Sequence, residues 1–314
     1  MSPILGPDGQ RCSRLELHLT TTCPERCVFC SEDERMRTFK KYPTTWGRVA
    51  RTLREHAARG IDHLHLTGGE PTIHPRFLDV LRLAKKLGMR TSIGTIGTRL
   101  CDPDFAAQAL PLLDEALFSI HGPDAETHDA LTRVPGSFDK QLRAVSLARS
   151  LRPDFMVAIN TVMCRPNIEQ LPDTVGFLDS LKPKLIVISN TTPEGAAYQH
   201  YEELAVPLAT LRRVLPQVPE RVQGAVLRFF GVPMCLLAPE HRMLSNDLHW
   251  DPRVTVEWNE QPGKVAFSGW PAWDPGRKRA RVEACTECSM QGVCMGVYNR
   301  YAELWPVEEL TPIV

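Results

Sequence analysis

No stretch of the 314 residues approaches the roughly eighteen continuous apolar residues that carry a helix across a bilayer, and the segment Met1 to Arg11 lacks the apolar run of a secretory signal. Net charge is missing too. The 37 basic and 37 acidic side chains cancel, which removes the whole-molecule field that would hold a nucleic-acid backbone or an anionic membrane surface. Low-complexity tracts and internal repeats of roughly 20 to 50 residues are also absent. These absences point to a cytoplasmic protein with no membrane segment, for which nucleic acid is an unlikely partner. Core-forming residues are plentiful. At 43% hydrophobic, the chain can bury one large or two modest cores, which excludes disorder as its main state.

Cysteine is abundant, at ten residues. A reducing cytosol argues against a disulfide framework and leaves metal or cluster ligation as the leading use. Cys23, Cys27 and Cys30 lie near the start, Cys235, Cys285, Cys288 and Cys294 lie in the last quarter, and Cys12, Cys101 and Cys164 stand alone.

Between the two groups, short β-branched or apolar runs alternate with longer amphipathic ones, the pattern of repeated βα units. Strands are expected at Arg14 to Thr20, Ile61 to Thr67, Arg90 to Thr95, Glu115 to Ile120, Phe155 to Met163 and Lys184 to Ser189. Helices are expected at Thr45 to Arg59, Pro75 to Leu87, Pro103 to Leu110, Ser137 to Ser150 and Asn167 to Leu181. Pro75, Pro103 and Ser137 start helices, and Gly60 and Gly88 follow helix ends. The fold class is therefore α/β, a barrel or partial barrel of parallel strands over residues 1–195. Residues 196–314 read as a helix at Tyr201 to Val214, a strand at Ala225 to Phe230, a hairpin of Val254 to Trp258 and Lys264 to Ser268 across Glu260 to Gly263, and a cysteine-bearing tail. That tail is too small to carry much core alone, and a bound metal group would compensate. The basic run Arg277 to Arg281 reads as a solvated loop.

Cys23-Pro-Glu-Arg-Cys27-Val-Phe29-Cys30 directly follows the first expected strand, so three thiolates share a loop at a strand's carboxyl end, where barrel enzymes build their sites. Three soft ligands this close suit a [4Fe–4S] cluster with one iron lacking a protein ligand; zinc with an open position is the chemical alternative. Gly68-Gly69-Glu70-Pro71 stands at the end of the second strand, offering close backbone approach and a carboxylate that can pair with an ammonium.

The CxxxCxΦC spacing, with Phe29 in the Φ position, together with GGEP at the end of strand two, resembles the radical S-adenosylmethionine (SAM) enzymes over roughly residues 12 to 190. The resemblance implies a partial (β/α)6 TIM-type barrel. It further implies that SAM's amino and carboxylate groups chelate the unique iron, and that an electron from the reduced cluster, supplied by a flavodoxin- or ferredoxin-type donor, releases a 5′-deoxyadenosyl radical. It places SAM contacts at Phe29, Gly68, Gly69, Glu70 and Pro71, and further ones at Ser119, His121, Asn160 and Ile188. His121 stands where many relatives have Asp.

Cys285-x-x-Cys288-x5-Cys294 with Cys235 could hold a second [4Fe–4S] cluster completely or form a zinc ribbon. Beside the first motif it resembles the twitch domain, the shorter relative of the SPASM domain, with one auxiliary cluster. Cys164 follows strand five at the edge where the radical would form, making it a candidate hydrogen donor. The function expected is hydrogen abstraction from a small biosynthetic intermediate, leading to oxidation, epimerisation or rearrangement. A ribosomally made peptide is the runner-up substrate. Behind these stand an RNA-modifying enzyme and a non-catalytic iron–sulfur or zinc scaffold.

Overall fold

The computed structural model describes residues 2–6 and 9–314. Seven strands run parallel in chain order: β1 (Arg14–Thr20), β2 (His63–Gly68), β3 (Arg90–Thr95), β4 (Glu115–Ser119), β5 (Met156–Met163), β6 (Leu185–Asn190) and β7 (Val226–Phe230). The hairpin β8 (Arg253–Gln261) and β9 (Lys264–Ala272) then joins the opposite edge, β8 parallel to β1 and β9 antiparallel to β8, giving the order β7-β6-β5-β4-β3-β2-β1-β8-β9. The hairpin thus extends the main sheet. Its turn is Pro262-Gly263 alone, with Gly263 left-handed at φ 75°.

Period-two patterning builds the layers. On β1, Leu15, Leu17 and Leu19 are fully buried in the outer hydrophobic layer, while Arg14, Glu16 and His18 alternate with them on the inner side. Leu64 and Leu66, Ala116 and Phe118, and Ile186 and Ile188 continue the outer set and belong to the same apolar core. Helix α1 (Asp33–Phe39) lies on the inner side, where Arg35 bonds Glu257, and amphipathic helices cover the outer layer: α2 (Trp46–Ala58), α3 (Phe77–Lys86), α4 (Pro103–Ala109), α5 (Ala125–Thr132), α6 (Ser137–Leu151) and α7 (Leu171–Ser180). Pro103 opens α4 behind an Asp102 cap whose carboxylate accepts from the N–H groups of Asp104 and Phe105 at 2.9 and 3.0 Å.

Several expectations are corrected, among them the helix start at Pro75, which lies at Phe77 with Arg76 at the N-cap. The helix expected from Tyr201 to Val214 is two, Tyr201–Leu204 and Leu208–Val214, because Pro207 has no N–H to donate and holds its predecessor extended. The helix expected from Asn167 begins as a single 3-10 turn before α7. Helices α1 and α5 were not expected; α5 starts where Asp124 accepts from Thr127 N–H at 2.8 Å. In the basic run, Arg279 is buried rather than solvated. No helix among the described residues is long and apolar enough to cross a membrane.

Candidate functional site

The inner face of the sheet opens at the strands' carboxyl ends into a cavity of about 350 Å³ lined by Cys23, Cys27, Cys30, Gly68, Gly69 and Glu70, with Phe29 among its walls. Two loops are clamped together to make it. Gly69 N–H donates to Thr20 carbonyl and Glu70 N–H to Thr22 carbonyl, both at 2.8 Å. A Cβ on Gly69 would lie 2.1 Å from Thr22 O, and one on Gly68, at φ 109°, 2.6 Å from Thr20 O. The glycines therefore let the turn after β2 press against the backbone that leads into the cysteine loop. From the other side, Ala196 N–H donates to Cys30 carbonyl at 2.9 Å, and Gly195 leaves room for that carbonyl.

The three thiols fit a metal cluster better than free cysteine. Burial pushes Cys23 up to about 12 and Cys30 to about 11 and raises Cys27 as well, and the neighbouring carboxylates and one another's charge add to the effect. Without a cation the thiolates are disfavoured there, and a bound metal supplies the compensating charge. Among the described residues, His65 and His121 are the histidines that line the cavity with the trio, and each has its Nδ1 taken: His65 Nδ1 bonds Ser92 Oγ at 2.8 Å and His121 Nδ1 accepts from Val162 N–H at 3.1 Å, leaving only Nε2 to face the cavity. The donor set is thus thiolate, as an iron–sulfur cluster with an open iron requires.

Glu70 is 1% exposed, and both carboxylate oxygens are fixed. Oε1 accepts from Thr72 N–H at 3.1 Å and Thr95 Oγ1 at 2.8 Å, and Oε2 from Ile96 N–H at 2.8 Å. Burial pushes its pKa up, against the pull of these hydrogen bonds. A rigid carboxylate facing a cavity is suited to hold one cationic group in one orientation. Ser119, His121 and Asn160 also line the cavity, and Ser189 Oγ holds the Asn160 amide oxygen at 2.7 Å. His121 is kept neutral by burial and by His128, against which it stacks at 5.6 Å; Phe29 meets it edge-on at 4.7 Å.

Three expected residues do not reach this cavity. Ile188 lies on the outer side of β6, fully buried in the core, because inner and outer residues alternate and Ser189 takes the inner position. Pro71 opens a buried 3-10 turn below Glu70. Cys164 is fully buried with Phe29, Leu131, Ala197 and Leu204 and donates to the Asn167 side-chain amide oxygen Oδ1 at 3.5 Å. Conversely, Asn190, Thr192 and Phe230 line the cavity unforeseen; Asn190 ends β6, Thr192 follows it and Phe230 ends β7, and only the strand-end rule could have marked them.

Cys235, Cys285, Cys288 and Cys294 meet around a second, smaller cavity of about 20 Å³. Backbone N–H groups point at the sulfurs: Met234 N–H to Cys294 at 3.5 Å, Gly296 N–H to Cys294 at 3.4 Å and Ile313 N–H to Cys288 at 3.4 Å. Donors of this kind stabilise thiolate in a cluster or zinc site. The site is braced by a short ladder, β10 (Arg279–Ala280) and β11 (Val297–Tyr298). Arg279 binds the Asp247 carboxylate at 2.6 Å, both side chains buried, and Asp247 accepts Met295 N–H beside Cys294 at 3.0 Å.

A third polar cluster lies inside the sheet between β1 and β8. His18 sits 3.1 Å from Glu32 and 3.2 Å from Glu257, and Arg35 bonds Glu257 at 2.9 Å. Burial opposes charge on His18, but the carboxylates around it prevail and raise it to about 10.

Comparison with known proteins places this geometry. The model of the Radical SAM superfamily matches residues 17–178. Among curated proteins, the PqqA peptide cyclase of Methylobacterium nodulans is 28% identical over 221 residues, covering 68% of this chain and 57% of that protein. That of Rhodopseudomonas palustris is 28% identical over 222 residues, covering 69% and 58%. The chain thus spans rather more than half the length of these relatives. Among solved structures, SuiB of Streptococcus suis bound to S-adenosylmethionine superposes with TM-score 0.61 at 16% identity, over 96% of this chain and 76% of that one. SuiB bound to the precursor peptide SuiA gives 0.57 at 18%, over 78% and 57%. These structures share the fold, a parallel sheet of the partial-barrel kind. Since the family match extends over more than half of the 314 residues and includes both the cysteine loop and the Gly-Gly-Glu turn, the chain belongs to the radical SAM superfamily.

Proposed function

We propose that the protein is a radical SAM enzyme that modifies a ribosomally made peptide. The observation that carries this reading is the meeting of Cys23, Cys27, Cys30 and the fixed Glu70 carboxylate in one cavity at the strand ends. The three cysteines would hold a [4Fe–4S] cluster, which when bound supplies the electron that cleaves SAM's sulfonium. The protein's own residues do the rest. Glu70 accepts the ammonium of SAM's methionine, and Thr72, Thr95 and Ile96 N–H keep its oxygens from turning away. Asn160, oriented by Ser189, offers its amide to the ribose hydroxyls. Val162 N–H occupies His121 Nδ1, which leaves the proton of the neutral ring on Nε2 as a donor. Phe29 and Val162 supply apolar wall, and the sheet surrounding the cavity shields a reactive intermediate from solvent.

Residues 196–314 would add the auxiliary centre, with Cys235, Cys285, Cys288 and Cys294 holding a second [4Fe–4S] cluster. A peptide is favoured over a small intermediate because the relatives are named as peptide cyclases and one structural neighbour carries its precursor peptide. The buried Arg279–Asp247 pair weakens the case for RNA, since it removes the central residue from the basic run. A flavodoxin- or ferredoxin-type protein is the expected electron donor.

The test is anaerobic reconstitution with iron and sulfide, followed by SAM, dithionite and synthetic copies of any short peptides encoded beside the gene. The expected result is a change in peptide mass with equivalent 5′-deoxyadenosine. SAM cleavage with no change in any neighbouring peptide would return the small-intermediate reading, and intact clusters without SAM cleavage would return the scaffold.

A further inference from the structure

The nine-stranded sheet ends on β9, and among the described residues no backbone group pairs with that strand's outer side. The two-residue turn makes Gln261 and Lys264 the closing hydrogen-bonded pair. Counting in twos, Ala266, Ser268 and Trp270 direct their N–H and C=O groups to β8, while Val265, Phe267, Gly269 and Pro271 direct theirs outward. Pro271 confirms the register, since a residue without an N–H is tolerated in a strand only where the N–H would face away from the ladder.

Between Lys264 and Pro271 this edge is unguarded. Proteins ordinarily blunt an edge with charge, proline, a bulge or a covering segment. Val265 to Trp270 holds six consecutive residues without charge or proline, in a regular register with no bulge. Gly269 and Trp270 are exposed, Trp270 to 36%. The strand also adjoins the site. Ser268 lies opposite Glu257, which touches His18 and Arg35, and Glu32 of that same cluster is two residues from Cys30. A further strand on β9 would lie three strand spacings from β1, about 14 Å, which a few residues of extended chain can cover.

We propose that the free edge of β9 receives an extended peptide as a tenth strand and so delivers the substrate to the cavity. Free N–H groups at Val265, Phe267 and Gly269, repeating about every 7 Å, are matched only by another extended backbone. The proposal deepens the peptide reading and rests on it. The ladder supplies sequence-tolerant hold, and Trp270, on the face shared with Glu257, supplies an apolar contact for one side chain of the guest.

An array of linear twelve-residue peptides, including the peptides encoded beside the gene, probes the reconstituted full chain, and binders are resynthesised with N-methyl groups at alternate residues. The expected result is that methylation on one parity weakens binding at least tenfold and on the other leaves it unchanged. Hydrogen–deuterium exchange over 264–272 should slow on binding, and Val265→Pro, which removes an outward N–H without touching the β8 ladder, should weaken binding while leaving SAM affinity and thermal stability intact. Binders indifferent to N-methyl parity and to Val265→Pro would overturn the edge proposal and leave the peptide reading standing. An array without binders would contradict both. Self-association of the chain that Val265→Pro abolishes, seen by sedimentation, would assign the edge to a second copy and overturn the proposal as well.

Discussion

The two cysteine sites differ in what surrounds them. The trio sits at the carboxyl ends of a large parallel sheet, facing a cavity of about 350 Å³ with a fixed carboxylate across from it. The quartet sits among turns of the tail around about 20 Å³, with backbone N–H groups aimed at its sulfurs and a buried ion pair behind it. On the proposed reading, three ligands beside open space would leave one metal position for a ligand, and four ligands around a small pocket would leave none. The same residue type would then serve chemistry in one place and a fully ligated centre in the other, and the scaffold would decide which.

The largest effect that separates them is expected from Cys27→Ala. Iron content should fall from about eight to about four per chain, and SAM cleavage should drop to background; a variant that still cleaves SAM would break the assignment of the open site. Next comes Asp247→Asn. Removing one partner of a buried ion pair costs about 3–5 kcal/mol, so the melting temperature should fall and the quartet should lose its metal first, read by iron content and spectroscopy, while the trio remains loaded. Equal loss from both sites would show that they are not structurally separable. Glu70→Gln keeps shape and most hydrogen bonds but removes charge, so SAM affinity should weaken about 10–100-fold by calorimetry, or about 1.4–2.8 kcal/mol, with iron content unchanged. The smallest effect is expected from Cys164→Ala. That thiol is buried behind the cavity wall, in one cluster with Phe29, and does not line the cavity, so product and rate should be unchanged and stability should fall by about 1 kcal/mol; a lost product would restore its role as hydrogen donor.

The strands were legible because alternation is local. Leu15, Leu17 and Leu19 against Glu16 and His18 reveal a strand with one apolar and one polar face without reference to the rest of the chain. The cysteine loop and the Gly-Gly-Glu turn were legible by spacing, although the glycines proved to serve loop-to-loop contact at Thr20 and Thr22 as their nearest constraint. What escaped depended on distant pairing. Nothing in Val254 to Ser268 says that β8 will lie beside β1, a partner about 240 residues earlier. Ile188 was misplaced by a single register step, which in a strand reverses the face. Arg279 reads as a surface charge until Asp247, more than thirty residues away, is found against it.

That the trio's cavity cleaves SAM is tested most directly by the 5′-deoxyadenosine that the anaerobically reconstituted protein forms from SAM and dithionite. It should form in the native chain and in Cys285→Ser, which retains the trio, and be absent in Cys27→Ala. A native preparation holding about eight irons per chain that forms no 5′-deoxyadenosine would contradict that claim.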